Sequence, residues 1–148
     1  MSTRPAFSRN LSRRLIDSLS TAGINRGMGP AQRYLLTVDG RKSHSPRTTP
    51  VSLVADGVNR YLVGPYGEVG WVRNARVSGE VTLSRAGHSE KFEVTAVDGT
   101  GAGSILKLYL KLEPMMRPYF GVRSDAPDEE FAAEVATHPV FRLTPKPS

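Results

Sequence analysis

Short runs of β-branched and aromatic residues, separated by turns rich in glycine and proline, dominate the middle of this chain and most constrain its fold. The runs are Tyr34–Val38, Val51–Ala55, Tyr61–Val63, Glu80–Arg85, a stretch around Phe92 and Val94, and Val140–Leu143. Each has the composition of a β-strand, and 14 glycines and 11 prolines supply the turns between them. About six short antiparallel strands in 148 residues predict a β-rich barrel or sandwich rather than a helical bundle.

Three helices are predicted beside the strands. The first is amphipathic, because Leu11, Leu15 and Leu19 fall on one stripe and basic residues fill the opposite arc. We expect it either to lie on the domain with its basic face in water or to make a weak contact with a membrane surface. Trp71–Arg76 and a segment beginning at Pro127 are the two further short helices.

The segment Leu106–Leu112 fits two structures. Its alternation of leucine with Lys107, Tyr109 and Lys111 matches a strand, whereas the spacing of Ile105, Leu108, Tyr109 and Leu112 matches one face of a helix. Periodicity leaves both open. In either case the chain divides into an N-terminal helix and loop, residues 1–30, and one strand-rich domain, residues 31–148.

Composition restricts the kinds of site and partner. A formal net charge of +6 favours anionic ligands, which include nucleic acids, acidic lipids and phosphorylated or polycarboxylate molecules. The chain contains no cysteine, which excludes disulfides and thiolate metal sites. The three histidines lack the spacing of metal ligands, so no metal is expected. Since there is no apolar run of membrane length and no leader pattern, we expect a cytoplasmic protein.

The first candidate site is Asp39–Pro50, with the sequence DGRKSHSPRTTP. It places Arg41, Lys42 and Arg47 among turn-forming residues between two strand runs. We expect an Asp-Gly turn after the first strand and an interruption of the ladder at Pro46, which would hold Lys42 and Arg47 on a constrained loop. Such a loop binds phosphate or carboxylate well, although a solvated hairpin loop is also compatible with the pattern.

A second candidate loop is Leu62–Asn74, with the sequence LVGPYGEVGWVRN. Its glycines let the backbone approach a ligand, and backbone amides at the start of a helix favour an anion. Trp71 adds a flat surface with a hydrogen-bond donor, or alternatively is a core residue at a corner of the chain. Two such loops, each following a strand in one small domain, favour a binding site.

These two stretches carry a resemblance to a known family. LLTVDGRKSHSPRTTPV resembles the signature of the deazaflavin-dependent nitroreductases, which has a strand followed by Gly-Arg-Lys-Ser, Pro-Arg and Thr-Pro. YLVGPYGEVGWVRNAR, at Tyr61–Arg76, is similar to a subgroup of that family abundant in actinobacteria. The resemblance runs from Gln32 to the final strand. It implies a mainly β fold (β-rich α+β), a split β-barrel of the flavin-mononucleotide-binding type with short flanking helices.

The resemblance also implies the cofactor. This is coenzyme F420, a deazaflavin whose tail carries a phosphate and a polyglutamate chain. By this analogy Lys42 and Arg47 hold the anionic tail, and the two glycine-containing loops complete the pocket. The implied cofactor-binding residues are Lys42, Ser43, Arg47, Thr49, Pro50, Val51, Pro65, Tyr66, Gly67, Trp71, Val72, Arg73 and Asn74.

The implied activity is transfer of a hydride from reduced F420 to a small, hydrophobic, conjugated substrate such as a quinone, an enone or a nitro compound. Relatives place tyrosines near the substrate, which makes Tyr109 and Tyr119 the candidate catalytic residues. Met115, Met116 and Phe120 are candidates for an apolar substrate mouth, or for ordinary packing. The sequence leaves open whether the protein is a monomer or a homodimer.

Two positions depart from the family pattern. His44 stands where relatives often have glycine, which predicts an altered loop conformation or an added donor to the cofactor tail. Glu68 stands where a lysine is expected, and an acid beside an anionic cofactor is unfavourable unless it points away. Both departures weaken the transfer of the family's tail contacts to this chain.

Three other functions are compatible with parts of the sequence. A deazaflavin carrier without turnover would use the same binding residues, and a flavin-mononucleotide enzyme would use the same fold and a phosphate site. A basic barrel also suits nucleic acid. Against this, aromatic residues make up only 7% of the chain and do not alternate with basic residues as a stacking platform requires. We therefore expect no nucleic-acid partner.

Overall fold

The computed structural model describes Ile24 and residues 30–147, and within them six strands form one antiparallel barrel. The strands are β1 (Arg33–Asp39), β2 (Pro46–Asp56), β3 (Asn59–Val63), β4 (Glu80–Arg85), β5 (His88–Val97) and β6 (Val140–Pro145). Their order around the barrel is β1-β2-β3-β6-β5-β4, and β4 pairs with β1 to close it. The predicted β-rich barrel is confirmed. The predicted N-terminal helix lies outside the described residues.

Short helices flank the barrel. They are α1 (Gly70–Ser78), α2 (Gly99–Leu112), α3 (Asp128–Ala132) and two 3-10 helices at Pro114–Tyr119 and Ala133–Ala136. Helix α2 decides the ambiguous segment, since its buried residues Ala102, Ile105, Leu106 and Tyr109 recur at helical spacing. Leu112, which both interpretations placed on the apolar face, is exposed at the last residue of the helix. Among the described residues no helix is long and apolar enough to cross a membrane.

Two apolar clusters hold the domain together on opposite sides of the barrel wall. The interior cluster consists of Leu36, Val38, Val51, Leu53, Leu62, Val72, Ala75, Val81, Leu83, Phe92, Phe141 and Leu143. The exterior cluster packs α2 and the segments after it onto β2, β3 and β6 through Val54, Val63, Ala102, Ile105, Leu106, Tyr109, Leu110, Phe120, Ala126, Phe131 and Val140. Neighbouring residues of one strand therefore pack in different clusters. In β2, Leu53 belongs to the interior cluster and Val54 to the exterior cluster.

Strand β2 begins earlier than the sequence indicates. The prediction that Pro46 interrupts the ladder and that the strand begins at Val51 was wrong, because β2 starts at Pro46 and pairs residue by residue with β1. A proline is tolerated as the first residue of a strand, and at Pro50 because a strand paired on one side needs fewer backbone donors. Arg47 accordingly lies on the strand and not on the loop.

One half of β2 is an open edge. Residues 53–56 pair with β3, whereas residues 46–52 pair with β1 alone among the described strands. Open edges present unpaired backbone N–H and C=O groups. This edge is the part of the barrel that positions the site.

Candidate functional site

A cleft of about 1000 Å³ runs along the open edge of β2. Six consecutive residues of that strand, residues 47–52, line it. Successive side chains of a strand point to opposite faces, so an unbroken run of lining residues means that the strand faces the cleft edge-on. The other walls come from β1, the β1–β2 loop, the start of α1 and the C-terminal end of α2. The cleft thus offers backbone groups as well as side chains to a ligand.

One end of the cleft is basic. Arg41 and Lys42 reach it from the β1–β2 loop, and Arg47 reaches it from the start of β2. Among the lining residues that the structure describes, four carry a positive charge and one, Glu113, is a carboxylate. That carboxylate is ion-paired with Arg33, so the three remaining cations face an anionic ligand without an opposing charge in the lining.

A buried asparagine fixes the basic loop. The Asn74 side-chain carbonyl, on α1, accepts hydrogen bonds from the backbone N–H of Arg41 at 3.0 Å and from Arg41 Nη1 at 2.9 Å. Asn74 is only 6% exposed, so these bonds satisfy an acceptor that would otherwise be costly to bury. Within the described chain, Asn74 therefore acts on the loop by positioning Arg41.

His44 has the backbone conformation that favours glycine. Its φ is 60°, in the left-handed region, and its N–H donates to the Gly40 carbonyl at 2.9 Å. The loop thus keeps the shape that glycine would give it, at the cost of some strain in a residue with a side chain. The two consequences expected from His44, an altered loop and an added donor to the cofactor tail, stay predictions.

The second glycine-containing loop contributes Pro65, Tyr66 and Trp71 to the cleft wall. Trp71 lines the cleft and also packs against the interior cluster, and its role toward a ligand stays a prediction. Glu68 points away from the cleft and pairs with Arg76 through bonds of 2.7 and 3.3 Å. The acid in place of the expected lysine therefore does not oppose an anionic ligand.

The end of the cleft opposite the basic loop is built around a half-buried ion pair. Glu113 accepts hydrogen bonds from Arg33 Nε at 2.8 Å, from Arg33 Nη2 at 2.7 Å and from the Ser52 hydroxyl at 2.7 Å. Burial alone would raise the pKa of Glu113, but the bonds from Arg33 and Ser52 outweigh it and hold that pKa below its usual value. The same pair raises the pKa of Arg33, so both groups stay charged.

Tyr109 lies one helical turn before Glu113 and lines the same end of the cleft. It is 4% exposed, and its hydroxyl makes no hydrogen bond within the described part of the chain. Burial, and then the charge of Glu113, raises the pKa of Tyr109 far above its usual range. The hydroxyl is therefore a fixed hydrogen-bond donor at any ordinary pH.

The structure brings most of the residues implied by the resemblance to this one cleft. Those that line it are Lys42, Ser43, Arg47, Thr49, Pro50, Val51, Pro65, Tyr66, Trp71, Asn74 and Tyr109, together with Met115 and Met116. Phe120 is not part of the lining and packs in the exterior cluster.

Four implied residues lie outside the lining. Val72 is fully buried in the interior cluster, and Arg73 is exposed beside the cleft. Gly67, with φ of 85°, shapes the turn that carries Tyr66. Tyr119 stands one layer behind the wall, with its ring 5.1 Å from that of Tyr66 in an edge-to-face contact. Their roles stay predictions.

Sequence reasoning missed Arg33, Ser52 and Glu113. Arg33 and Ser52 are direct cross-strand partners in the β1–β2 ladder, and Glu113 follows α2 at a distance of 80 residues from Arg33. The one local signal was Glu113-Pro114, since a residue before proline leaves the helical conformation. That signal predicts the end of a helix but not the partner of the carboxylate.

The barrel and its edge-on cleft define a cofactor-binding split-barrel protein, and the sequence places it in a family. The sequence profile of the F420H(2)-dependent quinone reductase family matches residues 13–137. The chain belongs to that family. It is an F420-dependent reductase, and its cofactor is coenzyme F420.

Solved structures share the fold. An F420-H2 dependent reductase, FDR-A, is 16% identical with a TM-score of 0.55, over 76% of this chain and 94% of that one. A structure described as a domain-swapped dimer is 18% identical with a TM-score of 0.58, over 90% and 93%. HutZ, a heme storage protein from Vibrio cholerae, is 9% identical with a TM-score of 0.53, over 95% and 93%. At these identities the likeness establishes the split-barrel fold alone. No curated protein sequence matches the chain.

The residues of the cleft fit coenzyme F420. Three cations at one end suit an anionic tail, and the edge of β2 from Arg47 to Ser52 spans roughly 17 Å at about 3.3 Å per residue. A volume of about 1000 Å³ is large enough for a flat tricyclic ring as well. The donor set and the length of the cleft therefore agree with the cofactor of the family.

Proposed function

We propose that this cleft is the active site and that the chain uses reduced F420 to reduce a flat, electron-poor acceptor of the quinone class. One observation carries the proposal. A single cleft joins a basic loop, suited to an anionic tail, to an aromatic and apolar mouth, suited to a conjugated ring.

The basic end would hold the tail of the cofactor. Lys42, Ser43 and Arg47 offer charged and hydroxyl donors that match phosphate and carboxylate oxygens. Asn74 holds the loop in place before the ligand arrives, which reduces the entropy lost on binding. Each cation should strengthen the binding of the F420 tail, and this contribution should weaken as the salt concentration rises.

The middle of the cleft would hold the deazaflavin ring. Thr49, Pro50 and Val51 present the open edge of β2, whose backbone groups can pair with the polar edge of a heterocycle. Trp71 adds an aromatic surface to the lining. Bound there, the cofactor supplies the hydride.

The mouth beyond Ser52 would hold the acceptor. Tyr66, Met115 and Met116 line it, and the Tyr66 hydroxyl contacts the Met116 sulfur at 4.0 Å. These side chains exclude water from a hydrophobic ring and leave the Tyr109 hydroxyl as a donor. Because Tyr109 holds its proton so firmly, we assign it to orienting the acceptor, and we assign to water the proton that completes the product.

A turnover assay combined with a binding comparison tests this proposal. The absorbance of reduced F420 is followed while a neutral methyl-naphthoquinone is added, and the apoprotein is titrated with F420 and with flavin mononucleotide. We expect quinone-dependent oxidation of F420H2 and tighter binding of F420. A preference for flavin mononucleotide would contradict the cleft assignment. Tight F420 binding without oxidation by any quinone, enone or nitro compound would favour a carrier, a role close to the storage function named for HutZ.

The assembly and location of the protein are further proposals. We infer a cytoplasmic location, supported by a chain without cysteine, and a weak contact of the basic N-terminal segment with acidic membranes. We also infer that the protein is able to form a homodimer, since one structure of the same fold is a domain-swapped dimer. Flotation with acidic vesicles, and light scattering over a range of concentrations, test these two inferences respectively.

A further inference from the structure

Arg33 is held in the cleft with part of its guanidinium unused. Its Nε and Nη2 bind the two oxygens of Glu113, in the bidentate arrangement that fixes the plane of the group. Nη1 makes no hydrogen bond or ion pair among the residues that the structure describes. The side chain is 35% exposed and lines the cleft, so a locked cation with spare N–H donors faces the site.

A second unused donor lies beside it. Tyr109 and Glu113 are four residues apart at the end of α2, and their side chains share one face there. Because Glu113 binds Arg33, the Tyr109 hydroxyl and the Arg33 guanidinium belong to the same corner of the cleft. Two unrelated elements, β1 and α2, thus bring two uncommitted donors together.

We propose that Arg33 and Tyr109 form a preset oxyanion clamp that binds the acceptor oxygen on which negative charge develops. The inference rests on the proposed reduction of a quinone-type acceptor in this cleft. Arg33 would be a catalytic residue, and Glu113 and Ser52 would be positioning residues that act through it.

The charge balance of the reaction supports this assignment. A quinone that accepts a hydride gains two electrons and one proton, and so becomes a hydroquinone anion. A proton from water then completes the hydroquinone, while the spent cofactor releases a proton to water. The anion forms between the side chains of the cleft, where fixed N–H and O–H donors stabilise it.

The carboxylate in the same corner does not cancel this effect. Both oxygens of Glu113 are occupied, one by Arg33 Nη2 and the other by Arg33 Nε and the Ser52 hydroxyl. Glu113 therefore occupies the side of the guanidinium that carries Nε and Nη2. The side that carries Nη1 is left for a ligand.

Binding to the apoprotein tests the clamp without turnover. The probes are 2-hydroxy-1,4-naphthoquinone, which is ionised at neutral pH, and the neutral 2-methyl analogue, and the readout is quenching of Trp71, the only tryptophan. Wild type should bind the ionised probe at least tenfold more tightly than the neutral one. Arg33→Lys keeps a cation for Glu113 but loses the planar set of guanidinium N–H donors, and should remove most of this preference. Lys42→Ala should retain it, which separates the clamp from the basic loop.

Turnover supplies the second arm. Arg33→Lys should lower kcat for the neutral quinone by about tenfold or more while the affinity for F420 stays unchanged. Arg76→Lys is the matched control, because Arg76 is another carboxylate-paired arginine outside the cleft. Quinone reduction by wild type with unchanged kcat in Arg33→Lys would overturn the clamp alone, as would an apoprotein without preference for the ionised probe. Failure of wild type to reduce any quinone would overturn the proposed function instead.

Discussion

The two ends of the cleft are built in opposite ways. The basic end is local in sequence, since Arg41, Lys42 and Arg47 fall within one short stretch and two of them lie on an exposed loop. The other end joins Arg33 of β1 to Glu113 after α2, 80 residues away, through a half-buried ion pair. We therefore expect that a substitution at the basic end changes the affinity for the ligand without changing the stability of the fold. A substitution at the other end should change both.

Helix α2 holds Tyr109 and ends just before Glu113. The largest effect on stability is therefore expected where the packing of this helix is tightest. A Cβ at Gly103 would lie 2.3 Å from the Asp128 carbonyl oxygen and 2.7 Å from the Ala132 nitrogen, both backbone atoms. Gly103→Ala should therefore lower the free energy of unfolding by about 3 kcal/mol and move Tyr109 and Glu113. Urea denaturation measures this.

Gly101 provides the control for that change. It lies in the same helix, and a Cβ there would meet nothing within 4 Å. Gly101→Ala should leave stability unchanged or raise it by up to about 1 kcal/mol, because alanine favours the helix. Equal losses in both variants would contradict the close packing of α2 on α3.

The ion pair gives a pH-dependent contribution to stability. Glu113 has a folded pKa below the ordinary value of 4.5, so its contribution is present above pH 4.5 and is lost as the pH falls through the lower, folded pKa. Glu113→Gln should cost about 2 kcal/mol at pH 7, and wild type should approach the variant below pH 4.5. Denaturant midpoints at pH 7, 5 and 3 measure the difference. A constant difference at all three would mean that the charge of Glu113 adds nothing to stability.

Asn74 is the point where the basic end also depends on a buried group. Asn74→Ala leaves the Arg41 backbone N–H without its acceptor and frees the loop, and should weaken F420 binding about tenfold. Asn59→Ala, at an exposed position of the β2–β3 hairpin, is the control. Isothermal titration measures both affinities, and unchanged binding in Asn74→Ala would show that the loop needs no fixed position.

The smallest effect is expected at His44. With φ at 60°, His44→Val should cost about 1–2 kcal/mol, whereas His44→Gly should change stability by less than about 1 kcal/mol. Thermal unfolding of the two variants measures the contrast. Equal stability of the valine and glycine variants would mean that the loop relaxes out of the left-handed conformation.

The same comparison explains what the sequence could predict. The composition of the strand runs indicated the barrel. The family resemblance carried by the stretch from Asp39 to Asn74 indicated the basic loop. Each of these signals lies in continuous sequence. The early start of β2 was missed because Pro46 was predicted to interrupt the ladder, whereas a proline is tolerated at the first residue of a strand that is paired on one side.

The second end could not be predicted, for a physical reason. Arg33 and Ser52 become neighbours only through strand register, and Glu113 meets them only because α2 packs across the exterior cluster. No local pattern records such a contact. Tyr109 was named through the resemblance, and the absence of a hydrogen bond from its hydroxyl to any described residue became visible only in the structure.

The most direct test of the two-ended cleft is the dissociation constant of F420 for wild type, Lys42→Ala and Lys91→Ala. Lys42 lines the basic end, whereas Lys91 is an equally exposed lysine on β5 outside the cleft. A charge-assisted contact to the tail predicts about tenfold weaker binding in Lys42→Ala, with unchanged binding in Lys91→Ala and unchanged stability in both. Equal F420 affinity for all three proteins would contradict the assignment of the basic loop to the cofactor tail.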